Sequence, residues 1–552
     1  VRTVKRSLPH SLYEEMIGSP RTCMYVLRSA HAMCRTMSSM PIGDHFHHFR
    51  SLFKGTLASK VDEILKNNTQ HIDFSEFYKS KVLTEYCPVR RVHIAQLAAN
   101  NPLEDRWNLG FIQVDGSISS FVCTVLDGHT GSACSHALAW VALDYIAAAF
   151  LDDERLEMVL PLLPKNLTDQ PYHPVRRLSS TDSSGHTAYT AMPPPPDVKL
   201  HFRRMLRRFV AELLTRRERN TDPTSCLTEA LARLDNDICC LGMEDLEDFI
   251  SQPSNPFDSQ VSQDLLQLAM SGSVGLFGHL CWSDSKAGGK GELHSADGVR
   301  PQPELQIANV GDCAALLVSE DASVGLKSTP LTRAHSAASN PDEVARLLAQ
   351  HPEDTHKHVL RNGGRLLGEL APCRAFGDVR YKWPAKRLIQ LARYFGAEQN
   401  TTSESIVPLG PWAGLPALPS PYFSPPYLIA KPDVKTIRLK PSDRYIVMAT
   451  DGLWDVVTPE LAAATLSGLQ KDQCPASRLL RTALSHLGPH MAAYQLLRCA
   501  KNRRGQQPSG RGADDAEESK LVAALLALPP GLARYYRDDI TVLVIDLQVP
   551  ET

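Results

Sequence analysis

Four short apolar runs in this chain meet aspartates at one end, and these aspartates are the residues whose type and spacing best suit chemistry. Runs of this length that are rich in Val, Ile and Phe and bounded by Gly or Asp are typical of buried strands. The junctions lie at Asp127, Gly311-Asp312, Asp451 and Asp538-Asp539, beside residues 121–126, 305–310, 445–450 and 540–547 respectively.

If these strand ends converge in the fold, several carboxylates share one small volume. Carboxylates that lie close together repel and raise one another's pKa unless cations neutralise them. Ligand sets made only of oxygen atoms favour hard ions such as Mg²⁺ or Mn²⁺ over Zn²⁺. The sequence therefore predicts a carboxylate-walled site for divalent cations.

Composition limits the other possibilities. The chain has 552 residues, 43% of them hydrophobic and 22% charged, and a formal net charge of −2. This charge gives no reason to expect a nucleic acid or an anionic membrane as partner. The 13 cysteines include no C-x-x-C pair, which favours reduced thiols in an intracellular compartment. No apolar run reaches the ~18 residues of a membrane-spanning helix, so no transmembrane segment is expected.

The first 54 residues differ from the rest. They are rich in Arg and Ser and contain three acidic residues, Glu14, Glu15 and Asp44. This composition is typical of a mitochondrial transit peptide, although a disordered basic tail has the same character. Residues 55–549 are predicted to form a single domain, because the motifs lie on both sides of every loop. The predicted loop insertions are near 170–196, 283–303, 398–426 and 502–519.

The elements that must position the aspartates follow from periodicity. A helix is predicted directly after the Asp127 turn, over residues 132–150, and a strand over residues 274–282. A strongly basic amphipathic helix is predicted over residues 198–219. Its arginines fit either a solvated helical face or a docking surface for an acidic partner.

Each acidic turn alone is weak evidence, because Asp-Gly is a common turn dipeptide. The order of the motifs along the chain is more specific: Glu104-Asp105, Asp127-Gly128-His129, Ser271-Gly272-Ser273, Gly311-Asp312, Gly377-Asp378, Asp451-Gly452 through Asp455, and Arg537-Asp538-Asp539. This series resembles the metal-dependent type 2C serine/threonine protein phosphatases over roughly residues 95–548. Within that family, residues 96–106, 234–238, 374–383, 425–428 and 532–539 resemble the mitochondrial pyruvate dehydrogenase phosphatases.

The resemblance implies an α+β fold, an αββα sandwich of two mostly antiparallel sheets flanked by helices. It implies two Mg²⁺ or Mn²⁺ ions, with a weaker third ion as a further option. By this resemblance the metal ligands are Asp127, the Gly128 carbonyl, Asp451, Asp538 and Glu104.

Further roles are also implied by the resemblance. Asp105 would orient a coordinated water, and His129 would act as the general acid for the leaving serine oxygen. Three other aspartates could support the third ion, or they could belong to turns and outer-sphere structure; these are Asp312, Asp378 and Asp455.

The sequence departs from the family pattern at three places. Asn100 occupies a position where many relatives have an arginine that binds the substrate phosphate, which implies hydrogen bonding instead of a bidentate charge pair. The pyruvate dehydrogenase phosphatases resemble this chain in having Asn there. Cys313-Ala314 replaces the usual Ser-Arg, and Ala334 replaces an Asp, so the electrostatics around the inner ligands are expected to differ.

The function implied is a Mg²⁺/Mn²⁺-dependent protein serine phosphatase of the mitochondrial matrix. Its substrate would be the phosphorylated E1α subunit of pyruvate dehydrogenase. The resemblance also implies docking to the lipoyl domain of E2, with Ca²⁺ as a potential bridging ion, and a potential regulatory subunit. Two alternatives stay open here: a type 2C phosphatase for a different phosphoprotein, and a non-catalytic pseudophosphatase scaffold.

Overall fold

The computed structural model describes most of the chain between residues 61 and 549. The described ranges are 61–75, 77, 87–114, 117–178, 193–216, 221–258, 261–282, 302–352, 356–397, 405–470, 473–487, 522–523, 525–526, 528–531 and 533–549. The predicted leader 1–54 and the predicted loop 502–519 lie wholly outside the described residues. The predicted loops 170–196, 283–303 and 398–426 lie partly outside them.

Fifteen strands are present in the described part of the chain. They are Thr69–Asp73 (β1), Val89–Leu97 (β2), Arg106–Val114 (β3), Ser117–His129 (β4), Val175–Arg177 (β5), Gly272–Cys281 (β6), Glu304–Val310 (β7), Ala314–Asp321 (β8), Gly325–Pro330 (β9), Leu360–Arg361 (β10), Arg365–Leu366 (β11), Phe376–Gly377 (β12), Asp433–Arg438 (β13), Asp443–Ala449 (β14) and Ile540–Leu547 (β15).

The α-helices in the same ranges are Val61–Asn67 (α1), Ala133–Phe150 (α2), Asp153–Leu162 (α3), Pro196–Thr215 (α4), Pro223–Cys239 (α5), Leu246–Ser251 (α6), Gln263–Met270 (α7), Pro341–Gln350 (α8), His356–Val359 (α9), Ala385–Tyr394 (α10), Asp451–Trp454 (α11), Pro459–Ser467 (α12) and Pro475–Leu487 (α13). Short 3₁₀ turns occupy Pro256–Asp258, Val379–Tyr381 and Ala533–Tyr535.

The strands form two large antiparallel sheets. One has the order β1-β2-β15-β14-β8-β9, and the other has the order β13-β7-β6-β4-β3-β5 with β12 added beside β6. Strands β10 and β11 form a separate hairpin. The described pairings between named strands are all antiparallel.

Three apolar cores separate four layers. The central core lies between the two sheets and contains Ile94 and Met448 from one sheet and Phe111 and Leu276 from the other. Helices α2, α4, α5 and α7 pack on the outer face of the seven-stranded sheet, and α12 and α13 pack on that of the six-stranded sheet. This arrangement confirms the predicted α+β sandwich with helices outside.

Alternation along the strands explains this layering. In β14, Ile446 and Met448 face the central core, whereas Val447 and Ala449 face the outer helices. Successive side chains of a strand point to opposite faces, so a strand that is covered on both sides reads as a continuous apolar run. The runs predicted at 445–450 and 540–547 therefore match β14 and β15 closely.

Strand β4 is longer than predicted. It spans 13 residues, and its last three, Asp127, Gly128 and His129, pair with Val274, Ser273 and Gly272 of β6. The expected turn therefore begins at Thr130, whose φ of 59° lies in the left-handed region. The ladder with β6 holds the Asp127 and His129 backbone, whereas the pairing with β3 ends at Leu126.

Helix α2 follows this turn as predicted and is the most enclosed helix of the fold. Among the described helices it alone has the length and apolar content to cross a membrane, and 83% of it is buried within the protein. It lies against β3 and β4 on one side and α5 on the other. Its apolar character is therefore accounted for by core packing.

The basic helix α4 uses several of its arginines within the fold. Arg203 donates to the Asn166 carbonyl, and Arg207 donates to the carbonyls of Leu160 and Leu163. Arg208 pairs with Glu212 at 2.8 Å. Much of this predicted charge therefore joins α4 to neighbouring segments.

The two sheets bring four strand ends to one edge of the sandwich. Ala449, at the end of β14, pairs with Val542 of β15, and Leu97 of β2 pairs with Ile540. The segment 311–313 crosses between the sheets from β7 to β8. The acidic residues that follow or precede these ends consequently meet at the edge where β4 ends.

Candidate metal centre

Asp127 and Asp451 form the middle of the acidic site. Asp127 projects from the end of β4, and Asp451 follows β14 in the other sheet. The Asp451 carboxylate is the charge that acts most strongly on Asp127. The two side chains therefore lie close together where the two sheets end.

Burial and neighbouring charges raise the pKa values of both Asp127 and Asp451. Burial, followed by the charges of Asp451, Asp105 and Asp538, raises the pKa of Asp127 well above its ordinary value. Burial, followed by Asp312 and Asp538, does the same to the pKa of Asp451. At ~4 Å and an effective dielectric constant of ~20, two like charges repel by about 4 kcal/mol. Such repulsion is comparable to a large part of a domain's net stability.

These features fit divalent cations. The Asp451 Oδ1 atom is buried without a hydrogen-bond partner. Buried polar atoms are nearly always satisfied, so an orphaned carboxylate oxygen among other carboxylates indicates an ion. Within the described ranges, no three His, Cys, Asp or Glu side chains form a ready-made metal-binding group. The carboxylates nevertheless raise one another's pKa values, so they lie close together at this edge.

Gly128 lies tightly packed beside Asp127. A β-carbon at this position would come within 2.5 Å of the Glu104 carbonyl oxygen and 2.6 Å of the Ser135 hydroxyl. Ser135, on α2, donates to that same Glu104 carbonyl at 2.5 Å. Only glycine allows the β4 backbone to lie so close to the Glu104 carbonyl and the Ser135 side chain, and the Glu104 segment is thereby fixed against β4.

Glu104 and Asp105 have different surroundings. The Glu104 side chain accepts from the Gly131 N–H at 2.7 Å, and burial, offset in part by that bond, raises its pKa. Asp105 is buried and accepts from the Thr450 hydroxyl at 2.9 Å. Burial and the nearby Asp539 and Asp538 charges raise the pKa of Asp105 well above its usual range. Both predicted residues thus lie in the acidic cluster.

Asp538 lies at the entrance to β15 and pairs with Arg534. The next residue, Asp539, is buried and turned the other way. Its carboxylate accepts the N–H groups of Ala99 at 2.5 Å, Asn100 at 2.9 Å and Glu104 at 2.8 Å. Asp539 therefore anchors the loop 98–104 that delivers Glu104 and Asp105.

Asn100 takes part in the same anchor. Its Nδ2 donates to Asp539 Oδ2 at 3.1 Å, and its side chain is half-buried. An amide nitrogen carries two hydrogens, so one remains for another acceptor. The structure places Asn100 at the rim of the cluster, and its predicted phosphate contact stays a prediction.

His129 faces Asp378. The imidazole Nε2 lies 2.5 Å from Asp378 Oδ2, and the histidine side chain is one-quarter exposed whereas the aspartate is nearly inaccessible. Burial lowers the pKa of His129, but the adjacent Asp378 carboxylate, with Asp312 and Glu104, more than offsets it, and the pKa is raised overall. Asp378 therefore holds the histidine ring in place and favours its charged form.

Asp312 and Asp455 also act electrostatically on the acidic cluster. Burial and the nearby Asp455 charge raise the pKa of Asp312. The preceding residue is fixed by His335, whose Nδ1 accepts from the Gly311 N–H at 3.0 Å. Asp455 is exposed, and its charge also acts on Asp451. Their predicted role with a third ion stays a prediction.

Several residues of this site were missed from the sequence: Asp539, Thr450, Thr541, Ser135 and Gly272. Gly272 leaves the space for the histidine pair, since a β-carbon there would lie 2.1 Å from His129 Nε2 and 2.3 Å from Asp378 Oδ2. The signal for Asp539 was present as its position beside Asp538. Thr450, Thr541 and Ser135 act through hydrogen bonds to Asp105, Gln96 and Glu104, which lie far away along the chain. No local pattern indicates these bonds or the space left by Gly272.

Comparison with known proteins gives concordant results. Residues 287–486 match the family model described as Protein phosphatase 2C. The chain is 31% identical over 478 residues to human "[Pyruvate dehydrogenase [acetyl-transferring]]-phosphatase 2, mitochondrial", covering 83% of this chain and 78% of that protein. It is 30% identical over 511 residues to the bovine phosphatase 1 of the same name, covering 88% and 82%. A Toxoplasma gondii serine-threonine phosphatase 2C crystal structure is 16% identical, with a TM-score of 0.35, over 87% of this chain and 99% of that one.

Proposed function

Because the chain belongs to the protein phosphatase 2C family, whose members are metal-dependent serine/threonine phosphatases, we propose that it removes phosphate from serine residues of the pyruvate dehydrogenase E1α subunit. The relatives that match most of its length carry pyruvate dehydrogenase phosphatase in their names. The observation that carries the chemistry is the buried, partnerless Asp451 Oδ1 among carboxylates that raise one another's pKa values.

The cations would be held by the carboxylates of Asp127, Asp451, Asp538 and Glu104 and by the Gly128 carbonyl. We propose two Mg²⁺ or Mn²⁺ ions, with Asp312, Asp378 and Asp455 available for a weaker third. When bound, such ions lower the pKa of water and neutralise charge on the phosphoryl oxygens. The remaining steps belong to the side chains of the chain itself.

The proton for the departing serine oxygen would come from His129. Since Nε2 faces Asp378, the proton to be donated would be carried by Nδ1. Asp105 would orient the attacking water, and the free hydrogen of Asn100 Nδ2 would bind a phosphoryl oxygen. A neutral amide binds phosphate more weakly than a guanidinium, which can form two charge-assisted bonds. The expected consequence is a modest affinity for small phosphate esters.

A non-catalytic scaffold is not supported by the site. Loss of the cation ligands would be its signature, yet Asp127, Asp451 and Asp538 are all present and act on one another electrostatically.

The proposed location starts from the names of the same relatives. Their names place them in mitochondria, and an Arg- and Ser-rich leader over residues 1–54 supports import of this chain. We propose residence in the matrix, docking to the lipoyl domain of E2, with Ca²⁺ as a bridging ion, and association with a regulatory subunit.

Phosphate release from phosphorylated E1 tests the substrate proposal. We expect Mn²⁺-dependent release by the full chain, faster when E2 and Ca²⁺ are present. An unrelated phosphoserine protein at the same concentration is the matched control. Equal rates on both substrates, with no effect of E2, would leave a phosphatase with a different substrate.

A further inference from the structure

A buried ion pair lies directly behind the loop that carries Asp378. Lys382 Nζ donates to Asp235 Oδ1 at 2.7 Å and to Oδ2 at 2.8 Å, and also to the Ala375 carbonyl at 2.8 Å. The lysine side chain is 4% exposed. A lysine so deeply buried is rare unless it is paired, because removing an ammonium group from water is costly.

The same carboxylate holds the loop from the other side. Asp235 Oδ1 accepts from the Gly377 N–H at 3.0 Å. Asp235 lies on α5, a 17-residue helix that packs on α2, so its backbone is fixed by the core. Ala375 and Gly377 are therefore both attached to one rigid ion pair, and Asp378 is the next residue.

Asp378 needs such support because its backbone is strained. Its φ is 51°, in the left-handed region, where a residue other than glycine is disfavoured. In this conformation its N–H donates to the Ser271 carbonyl at 3.0 Å, and its carboxylate reaches His129 Nε2. A relaxed backbone would turn the carboxylate away from the imidazole.

The structure assigns Asp235 and Lys382 as positioning residues for His129, which act by holding the 375–378 loop so that Asp378 contacts the imidazole. This inference rests on the proposed role of His129 in phosphoserine hydrolysis. The chain of contacts runs from Lys382 to Asp235, to Gly377 and Asp378, and then to the histidine. In the contacts described above, Lys382, Asp235 and Gly377 do not touch the proposed ligands of the two main cations.

The leaving group distinguishes positioning of an acid from general structural support. A serine alkoxide needs a proton to leave, whereas p-nitrophenolate leaves as a stable anion and gains little from an acid. A misplaced His129 should therefore slow hydrolysis of a phosphoserine peptide and have little effect on p-nitrophenyl phosphate. A merely looser fold would slow both substrates alike.

The primary experiment measures kcat and KM in Mn²⁺ for both substrates with the wild type, Asp235→Asn and His129→Gln. We expect Asp235→Asn to lower kcat for the peptide ~10- to 100-fold, the range for a catalytic group displaced by about 1 Å. We expect less than ~3-fold for p-nitrophenyl phosphate and little change in either KM. Asp235→Asn combined with His129→Gln should be no slower on the peptide than His129→Gln alone.

Two further variants keep the test decisive. Asp144→Asn alters another buried carboxylate paired with cations, and it should lower stability while leaving the ratio of the two rates unchanged. If Asp235→Asn does not fold, the neutral pair Asp235→Asn/Lys382→Gln replaces it, because it leaves no unpaired charge.

The outcomes separate the two proposals. Equal losses on both substrates for Asp235→Asn or its neutral pair, or losses that multiply with those of His129→Gln, would overturn the positioning role. If His129→Gln itself slows both substrates equally, the acid role in the proposed function fails. In that case a selective loss with Asp235→Asn could no longer be assigned to the histidine, and the inference falls with it.

Discussion

Buried carboxylates occur in two contrasting regions of this molecule. On α2, Asp144 is fully buried and paired with His173 at 2.7 Å and Arg177 at 2.9 Å. Burial raises the pKa of Asp144, but these two partners outweigh it, and the pKa is lowered overall. At the sandwich edge, the half-buried Asp127 and Asp451 lie among other carboxylates, and their pKa values are raised.

The opposite pKa shifts distinguish a carboxylate that stabilises the fold from carboxylates that are suited to bind a cation. The charge of Asp144 is neutralised within the chain by His173 and Arg177, although its Oδ1 atom, like that of Asp451, has no hydrogen-bond partner. Carboxylates that have mainly one another as neighbours destabilise the fold, and they are kept only if something outside the chain neutralises them. The acidic cluster thus has the electrostatics of a binding site, and the Asp144 network has those of a structural pair.

The largest expected effect comes from changing the cluster. Asp127→Asn should lower Mn²⁺-dependent hydrolysis of p-nitrophenyl phosphate by ~10³-fold or more, since a cation contributes several kcal/mol to charge stabilisation. The variant should remain folded by circular dichroism, because it removes a repelling charge. Asp144→Asn, whose folded fraction should keep near-normal activity, is the control. Similar rates for Asp127→Asn and the wild type would refute the assignment of the site.

A substitution in the Asp144 network should instead affect stability more than activity. Asp144→Ala should lower the free energy of unfolding by ~3–5 kcal/mol, since it leaves the Arg177 charge buried without its partner. Urea unfolding of the metal-free protein measures this change. A loss below ~1 kcal/mol would mean that the pair contributes no more than a surface salt bridge.

The contrast should also appear in pH dependence. The pKa of Asp127 is raised in the folded protein, so its protonated form stabilises the fold. That contribution is complete below the unfolded pKa of ~4 and is lost as pH rises through the folded value. Metal-free Asp127→Asn should therefore gain stability relative to the wild type as pH rises from 5 to 8.

For Asp144 the sign is reversed. Its folded pKa is lowered, so its contribution is present above ~4 and is lost as pH falls through the folded value. Asp144→Asn should therefore be less stable than the wild type near neutral pH, and this difference should disappear only at acid pH. Urea unfolding of both variants and the wild type at several pH values measures how each stability difference changes with pH. The same pH dependence for both variants would contradict the proposed difference between the two regions.

The smallest expected effect is on KM and comes from Asn100, at the rim of the acidic cluster. Asn100→Ala removes a neutral hydrogen bond worth ~1 kcal/mol, so KM for a phosphoserine peptide should rise ~5-fold with little change in kcat. An Asn100→Asp variant, of similar size but negative, should raise KM further. An unchanged KM in both variants would place the phosphate elsewhere.

The sequence predicted the strands and their acidic ends well, because continuous apolar runs such as 540–547 are strong local signals. Asp127, Asp451 and Asp538 could be found because each lies beside such a run. The roles of Thr450 and Gly272 could not, since their partners lie far away along the chain. Asp539 adjoins the same run as Asp538, but its role as an anchor for the loop 98–104 depends on distant residues in the same way. Lys382 lies in the family-like segment 374–383, but its structural role could not be predicted. A lysine is expected at the surface until a partner such as Asp235 is seen in the structure.

Calorimetric titration of Mn²⁺ into the metal-free chain tests the central claim most directly. The predicted result is saturable heat for the wild type and for Asp144→Asn, and strongly weakened binding for Asp127→Asn and Asp451→Asn. No heat with the wild type, or the same isotherm for Asp127→Asn, would contradict the existence of a cation site at this edge of the sandwich.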